Sequence, residues 1–348
     1  MQRIPLGRTG LTIPDFCLGT MTFGTHTPDK DAYRQMDMAL EAGIDFLDTA
    51  EMYPVMPVLA KTVGRTEEVI GDWIAQDPSR NSKMMIATKI CGQNDRFVRF
   101  GMPIDGETFR AAFEGALRRL RVDHIHLYQL HWPNRGSYHF RQNWRYDPSQ
   151  QPRDEMARHV DEVLEVAQEF IDAGHLGAFG LSNESAWGTM QWLAGAERTG
   201  GPRVASIQNE YSLLCRLYDT DLGETAVHED IVLLAFSPLA TGLLTGKYQG
   251  GKIPANSRMD NDGALSGRHT ERAISAVDGY IEVARRHGLD PVHMALAFTV
   301  QRPFLVSTIF GATTSEQLRH VIEGLDAKLS DEVLGELDEL NRAHPMPY

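Results

Sequence analysis

Cysteine is scarce in this chain: Cys17, Cys91 and Cys215 are the whole supply in 348 residues. Odd in number, far apart and without paired metal-ligand spacing, they read as reduced, mostly buried thiols and not as a disulfide framework. No apolar run reaches the length of about 18 residues that a membrane helix requires. Basic residues are outnumbered, 34 against 47 acidic, for a formal net charge of −13. Such a surface repels a polyanion, which excludes general nucleic-acid binding. The thirteen histidines include neither an HExxH pair nor a clustered Cys/His spacing, so no metal site is expected. The opening residues, Met1-Gln2-Arg3-Ile4-Pro5-Leu6-Gly7, lack the charged-then-apolar pattern of a signal peptide, and a cytoplasmic location is expected.

What is present is enough apolar material for a large core, 42% of residues. Arg8-Thr9-Gly10-Leu11 forms a turn signal between short extended runs in residues 2 to 13, an N-terminal hairpin expected to cap a larger body. Beyond it, short apolar runs alternate with amphipathic stretches. One helix is expected over 105 to 121, where Phe109, Ala112, Phe113, Ala116, Leu117 and Leu120 recur at three- and four-residue spacing. A second is expected over 158 to 173, with Gly174 placed to stop it. Eight strands are expected to end near Met21, Ala50, Ile90, Trp132, Asn183, Tyr211, Leu239 and Thr313. Runs such as Ile231-Val232-Leu233-Leu234-Ala235 are apolar throughout, as strands covered on both faces should be. Eight such units predict a single (β/α)8 barrel, the TIM barrel, over residues 1 to 348, with long loops at its C-terminal mouth. A doubly wound sheet is the competing architecture, but no GxGxxG turn follows the first strand.

In such a barrel the strand ends converge on one mouth. Asp48 ends the second strand, Lys89 the third and His131 the fourth, and Tyr53 follows Asp48 in Asp48-Thr49-Ala50-Glu51-Met52-Tyr53-Pro54. Each alone is equally a capping or core residue. Together they make a proton-transfer set, in which Lys89 near Tyr53 is expected to lower the tyrosine pKa while Asp48 keeps the ammonium charged. Two long irregular segments interrupt the alternation. Residues 133 to 157 carry Tyr138, His139, Phe140, Trp144 and Tyr146 and are expected to contact substrate, the alternative being a loop packed on its own aromatics. Residues 246 to 266, rich in Gly, Asn and Asp, read as a mobile surface loop. Met21, Met52, Met56, Trp132, Tyr138 and Trp144 are candidates for an apolar pocket, or core filler.

Asp48, Tyr53, Lys89 and His131 match the tetrad of the aldo-keto reductases, and the resemblance extends over nearly the whole chain. It runs from Leu18-Gly19-Thr20 through Leu130-His131-Trp132, Gly180-Leu181-Ser182-Asn183-Glu184, Ile207-Gln208-Asn209, Phe236-Ser237-Pro238-Leu239 and Leu244-Thr245-Gly246-Lys247-Tyr248 to Gly311-Ala312-Thr313-Thr314. Within the family the chain resembles the Tas-type bacterial reductases and is also similar to potassium-channel β-subunits. The resemblance implies hydride transfer between NADP(H) and an aldehyde or ketone, without metal, with Tyr53 as general acid and His131 orienting the carbonyl. It implies that Ser182, Asn183 and Gln208 hold the nicotinamide carboxamide and that Phe236 stacks on its ring. Thr20 and Met21 join the cofactor set, and Ser237, Pro238, Leu239 and Gly242 follow as pyrophosphate and ribose contacts. Lys247 and Arg258 are implied as phosphate ligands, and Gly311, Thr313 and Gln317 as the 2′-phosphate and adenosine site at the start of the last helix. His320 and Val321 depart from the Glu and Asn that channel-subunit-like members often place at the adenine. The competing functions are a module that holds NADP(H) and reports redox state to a partner, as channel β-subunits do, and a Schiff-base enzyme using Lys89 as nucleophile. Neither the carbonyl substrate nor the oligomeric state is specified.

Overall fold

The computed structural model describes every residue but Met56 and, beyond its backbone, Arg153. The N-terminal hairpin pairs β1 (Arg3–Pro5) with β2 (Thr12–Pro14), Ile4 opposite Ile13. Eight parallel strands follow: β3 (Phe16–Gly19), β4 (Phe46–Asp48), β5 (Met85–Ile90), β6 (Leu127–Leu130), β7 (Phe179–Ser182), β8 (Val204–Glu210), β9 (Val232–Phe236) and β10 (Val306–Phe310). They close in sequence order, β10 pairing with both β9 and β3. This is the expected (β/α)8 barrel. β5 ends at Ile90 as expected, and the other seven stop one to three residues sooner. Single backbone bonds carry the pairing a little further, as from the Thr49 amide to Ala87 O and the His131 amide to Ile90 O, both at 2.9 Å.

The helices are α1 (Asp29–Glu41), α2 (Arg65–Gln76), α3 (Gly106–Leu120), α4 (Arg153–Asp172), α5 (Ala186–Thr199), α6 (Asp221–Glu229), α7 (Arg258–Asn261), α8 (Glu271–Arg286), α9 (Pro291–Val300), α10 (Ser315–Ile322) and α11 (Asp331–Ala343). α3 matches its sequence signal, because Asp105 and Thr108 form a reciprocal capping box and the apolar stripe buries Phe109 and Phe113 around Tyr128. α4 begins five residues before the expected start. Asp154 and Glu155 lie in its first turn, where carboxylates suit the helix dipole, and Met156 extends the buried stripe by one turn. The irregular segment after β6 is shortened accordingly. α10 is not the last helix: α11 follows and packs on α8.

The hairpin closes the N-terminal end of the barrel. Ile4, Leu6 and Ile13 form one buried cluster with Cys17, Phe46, Ala87, Leu127, Ala205, Val232, Leu234 and Ile309 from the strands. Each such side chain taken from water contributes about 1.5–3 kcal/mol, so the cap holds the strand starts together. Gly7, at φ +58°, lies so near the barrel floor that a Cβ there would meet Ala205 Cα at 2.8 Å. With that end filled, a ligand enters the barrel from its C-terminal mouth. No helix is long and apolar enough to cross a membrane among the described residues.

Candidate active site

Asp48 is the last residue of β4 and Lys89 the last but one of β5. Because those strands are neighbours, their side chains meet inside the mouth. Lys89 Nζ donates to Asp48 Oδ2 and to Thr49 O, both at 2.7 Å, and the pair is sealed, with Lys89 0% and Asp48 2% exposed. Gln208 Nε2, from β8 on the far side of the barrel, donates to Asp48 Oδ1 at 2.7 Å, and Gln129 Nε2 reaches the same atom at 3.4 Å. The carboxylate is thus held from three strands. Thr20 fixes the backbone beside it, donating from its hydroxyl to Asp48 O at 2.8 Å.

Tyr53 leans over this pair. Lys89 Nζ lies 4.9 Å from the centre of its ring, and the His131 ring stands edge-on to it at 5.7 Å. His131 follows β6 by one residue, so β4, β5 and β6 and the loop after β4 deliver the four expected residues to one place. Around them Ala50, Met52, Cys91 and Val98 are buried, with Met21, Phe97 and Trp132 packed alongside, an apolar collar that removes water. Burial raises the Tyr53 phenol above its ordinary value of about 10; the Lys89 cation pulls the other way and does not win. The sequence-based expectation of a lowered tyrosine therefore reverses in sign, because it weighed the cation and not the desolvation. Burial opposes the charge on Lys89, but Asp48 and then Tyr53 hold its pKa above the usual lysine value, so the ammonium stays charged as expected. Burial, with help from Lys89, drives the His131 pKa well below the ordinary histidine range, so its imidazole is neutral.

Ser182 and Asn183 lie beside this group at the end of β7. Asn183 Nδ2 donates to His131 O at 2.9 Å and to Ser182 Oγ at 3.1 Å, while Ser182 Oγ donates to Gln208 O at 2.7 Å. Asn183 Oδ1 is left buried with no hydrogen-bond partner among the described residues. That orphan acceptor fits the NH2 of a carboxamide. Phe236 ends β9, and the chain then turns through Ser237, Pro238 and Leu239 with positive φ at Ser237, Ala240, Thr241 and Gly242. Lys247 folds back over this turn, its Nζ 3.0 Å from where a Cβ on Gly242 would sit. Arg258 opens α7 and makes no ion pair among the described residues, and its Nε is buried without a partner. Burial and the like charge of Arg268 lower its pKa to about 10, the mark of a guanidinium short of an anion.

Gly311 and Thr313 follow β10, and Gln317 Oε1 accepts from both the Thr313 amide and hydroxyl at 3.1 Å. The N-terminus of α10 is already engaged, since Asp31 takes the Ser315 amide at 3.1 Å and its hydroxyl at 2.5 Å. An anion-attracting helix end there is therefore partly neutralised.

The segment from 133 to 152 packs on its own aromatics and is also clamped to the strand ends. Tyr138 and Tyr146 stand edge-on at 5.8 Å, Arg135 pairs with Glu184, and His139 Nε2 donates to Glu184 O at 3.0 Å. Phe140 meets Trp132 edge-on at 6.0 Å, which links the segment to the collar around Tyr53. Of the other pocket candidates, Tyr138 lines a cavity of about 880 Å3 beside the mouth, Trp144 is 58% exposed under Arg272, and Met56 lies outside the described residues. Neither that cavity nor a neighbouring one of about 540 Å3 has Tyr53 or His131 in its wall. The segment from 246 to 266 is packed and not free: Met259 and Leu265 are buried, and the Met259 amide donates to Tyr248 Oη at 3.3 Å.

Two features of the mouth had no counterpart in the sequence reading. Gln129 supports Asp48, and its spacing of two from His131, one residue past the end of β6, was a usable signal, since alternate residues of an extended run share a face. Arg268 Nε, Arg141 Nη1 and Tyr348 Oη all donate to the buried Glu210 at the end of β8, at 2.7, 3.1 and 2.9 Å. No local pattern joins residues so far apart.

A sequence model of the Aldo/keto reductase family matches residues 15–342. The chain belongs to that family. It is 40% identical over 352 aligned residues to protein Tas of Escherichia coli (strain K12), covering 99% of both chains. It is 28% identical to a probable voltage-gated potassium channel subunit beta of Arabidopsis thaliana, over 99% of this chain and 98% of the relative. It is 26% identical to the NADH-specific methylglyoxal reductase of Escherichia coli (strain K12), over 95% of each. Membership makes this aldo/keto reductase chain an oxidoreductase.

Proposed function

We propose that this protein reduces aldehyde or ketone carbonyls to alcohols with NADPH in the cytoplasm, Tyr53 acting as general acid. The observation that carries the reading is the buried assembly at the mouth: a Tyr53 phenol and a neutral His131 imidazole set edge-on at 5.7 Å above a sealed Lys89–Asp48 pair. The bound nicotinamide supplies the hydride. The chain's own residues then manage one proton and one oxygen. Burial keeps Tyr53 protonated at neutral pH, the form an acid needs, and Lys89 beneath the ring favours the phenolate left when the proton goes to the developing alkoxide. His131, neutral, has an N–H to offer the carbonyl oxygen. The apolar collar excludes water, which strengthens both interactions.

For the cofactor, Asn183 Oδ1 is the acceptor for the carboxamide, with Ser182 and Gln208 beside it and Phe236 offering an apolar ring face. Thr20 and Met21, which follow β3, would border the cofactor from the wall that carries Asp48. Ser237, Pro238, Leu239 and Gly242 would lie along the pyrophosphate and ribose, and Gly311, Thr313 and Gln317 along the adenosine. The preference for NADPH over NADH rests on Arg258 and Lys247, because Asp31 already neutralises part of the α10 terminus. A relative is NADH-specific by name, so this preference belongs to these two cations and not to the family as such. The test is NADPH consumption with a panel of reactive aldehydes and ketones. Tyr53→Phe is expected to lose about 10²–10⁴-fold in kcat and keep its nucleotide affinity; parental turnover in that variant would refute the role of the phenol.

A further inference from the structure

Away from the mouth, Asp290, His293 and His320 offer one ligand atom each, all within 4.8 Å of one another. Asp290 and His293 stand at the start of α9, and His320 projects from α10, 27 residues further along the chain. The sequence expectation of no metal rested on local spacing, and a three-residue set split across two helices leaves no such signature. We propose that these residues form a zinc site that bridges α9 and α10.

Asp290 and His293 each commit one polar atom to a structural bond and keep the other for a ligand position. Asp290 Oδ1 caps α9, accepting from the Val292 and His293 amides at 2.8 and 3.1 Å, which leaves Oδ2 to face His320 Nε2 at 3.2 Å. Two ligands at about 2.0–2.1 Å from a tetrahedral zinc ion are about 3.3 Å apart, so this edge already has the coordinated spacing. His293 Nε2 lies 2.7 Å from His320 O. A carbonyl only accepts, so Nε2 carries the proton and Nδ1 the lone pair. An imidazole that donates from one nitrogen to a backbone carbonyl and coordinates through the other is the usual arrangement of metal-binding histidine. The two rings lie 4.8 Å apart and 32° from parallel. His293 rests directly on Gly324, where a Cβ would come within 2.0 Å of the ring, so only glycine lets the imidazole lie there.

Two imidazoles and one carboxylate are the donor set of zinc sites with an open fourth position, which water fills, and hard cations such as Mg²⁺ prefer all-oxygen sets. Asp290 and His293 are half-buried and His320 is exposed, so an ion has a path in. Coordination through His320 Nε2 uses the lone pair of that nitrogen, so the bound ring carries its proton on Nδ1. The consequence is a cross-link between two helices that meet here through the His320–Asp290 contact, the His293–His320 hydrogen bond and their facing rings.

Isothermal titration of the full chain with ZnSO4, and separately with MgCl2, tests this. One zinc per chain, a raised Tm with zinc and no response to magnesium are expected. His320→Ala should weaken zinc binding at least about 10-fold, since removing even a supporting partner of a ligand costs that much. His320→Cys, which restores a soft ligand, should recover most of it. Zinc binding unchanged in His320→Ala, or no zinc bound by the parent chain at 100-fold excess, would overturn the proposal. The readout is metal bound and not turnover, so it stands apart from the proposed carbonyl reduction.

Discussion

Breaking the Lys89–Asp48 pair tests whether this site is held by buried charge. At 2.7 Å and an effective dielectric constant of about 20, the attraction between the two ions is about 6 kcal/mol. Desolvating both ions offsets much of that, so the net worth of the pair is small, but removing one partner strands the other without water. Lys89→Met leaves Asp48 with only its Gln208 and Gln129 donors, and Asp48→Asn leaves Lys89 with only Thr49 O and the face of Tyr53. Each single variant is expected to lose about 3–5 kcal/mol. At about 2.1 cal/mol/K per residue, that corresponds to a fall in Tm of about 4–7 °C for a chain of this length. The double variant carries no buried charge at this position and is expected to lose clearly less than the sum of the singles, by about 3 kcal/mol or more. Urea unfolding of all four proteins measures the coupling. Losses that add to within about 0.5 kcal/mol would refute the account, because they would mean that water reaches the pair and screens it.

Two further outcomes follow from the site's electrostatics. Tyr53 is raised above about 10, so its acid form is complete below that value and is lost only as pH rises through it; His131 is held neutral far below 6.5. The kcat for reduction should therefore be flat between about pH 6.5 and 9, and a fall centred between pH 7 and 8 in a kcat profile would contradict the raised phenol. Arg258→Met should raise the KM for NADPH by about 10–100-fold, the worth of one charge-assisted hydrogen bond, and that for NADH by less. Equal effects on the two nucleotides, measured by initial rates, would remove the 2′-phosphate from its role.

The sequence by itself determined the barrel and the membership of its mouth. Apolar runs at regular intervals mark strands covered on both faces, and a residue at a strand end goes to the mouth by topology alone, so Asp48, Lys89 and His131 were legible before any coordinate. The spacing of Phe109, Ala112, Phe113, Ala116, Leu117 and Leu120 marked α3 in the same local way. The tertiary structure decided what those groups do electrically. The sign of the Tyr53 shift depends on Ala50, Met52, Cys91, Val98 and Trp132, which arrive from three separate loops and together outweigh a lysine already in place. Likewise, the Glu210 cluster joins Arg141, Arg268 and Tyr348, and the proposed zinc site joins α9 to α10. Periodicity and capping are local in the chain and can be read there. Desolvation and the balance of charges are sums over neighbours in space, and only the closed barrel fixes who the neighbours are.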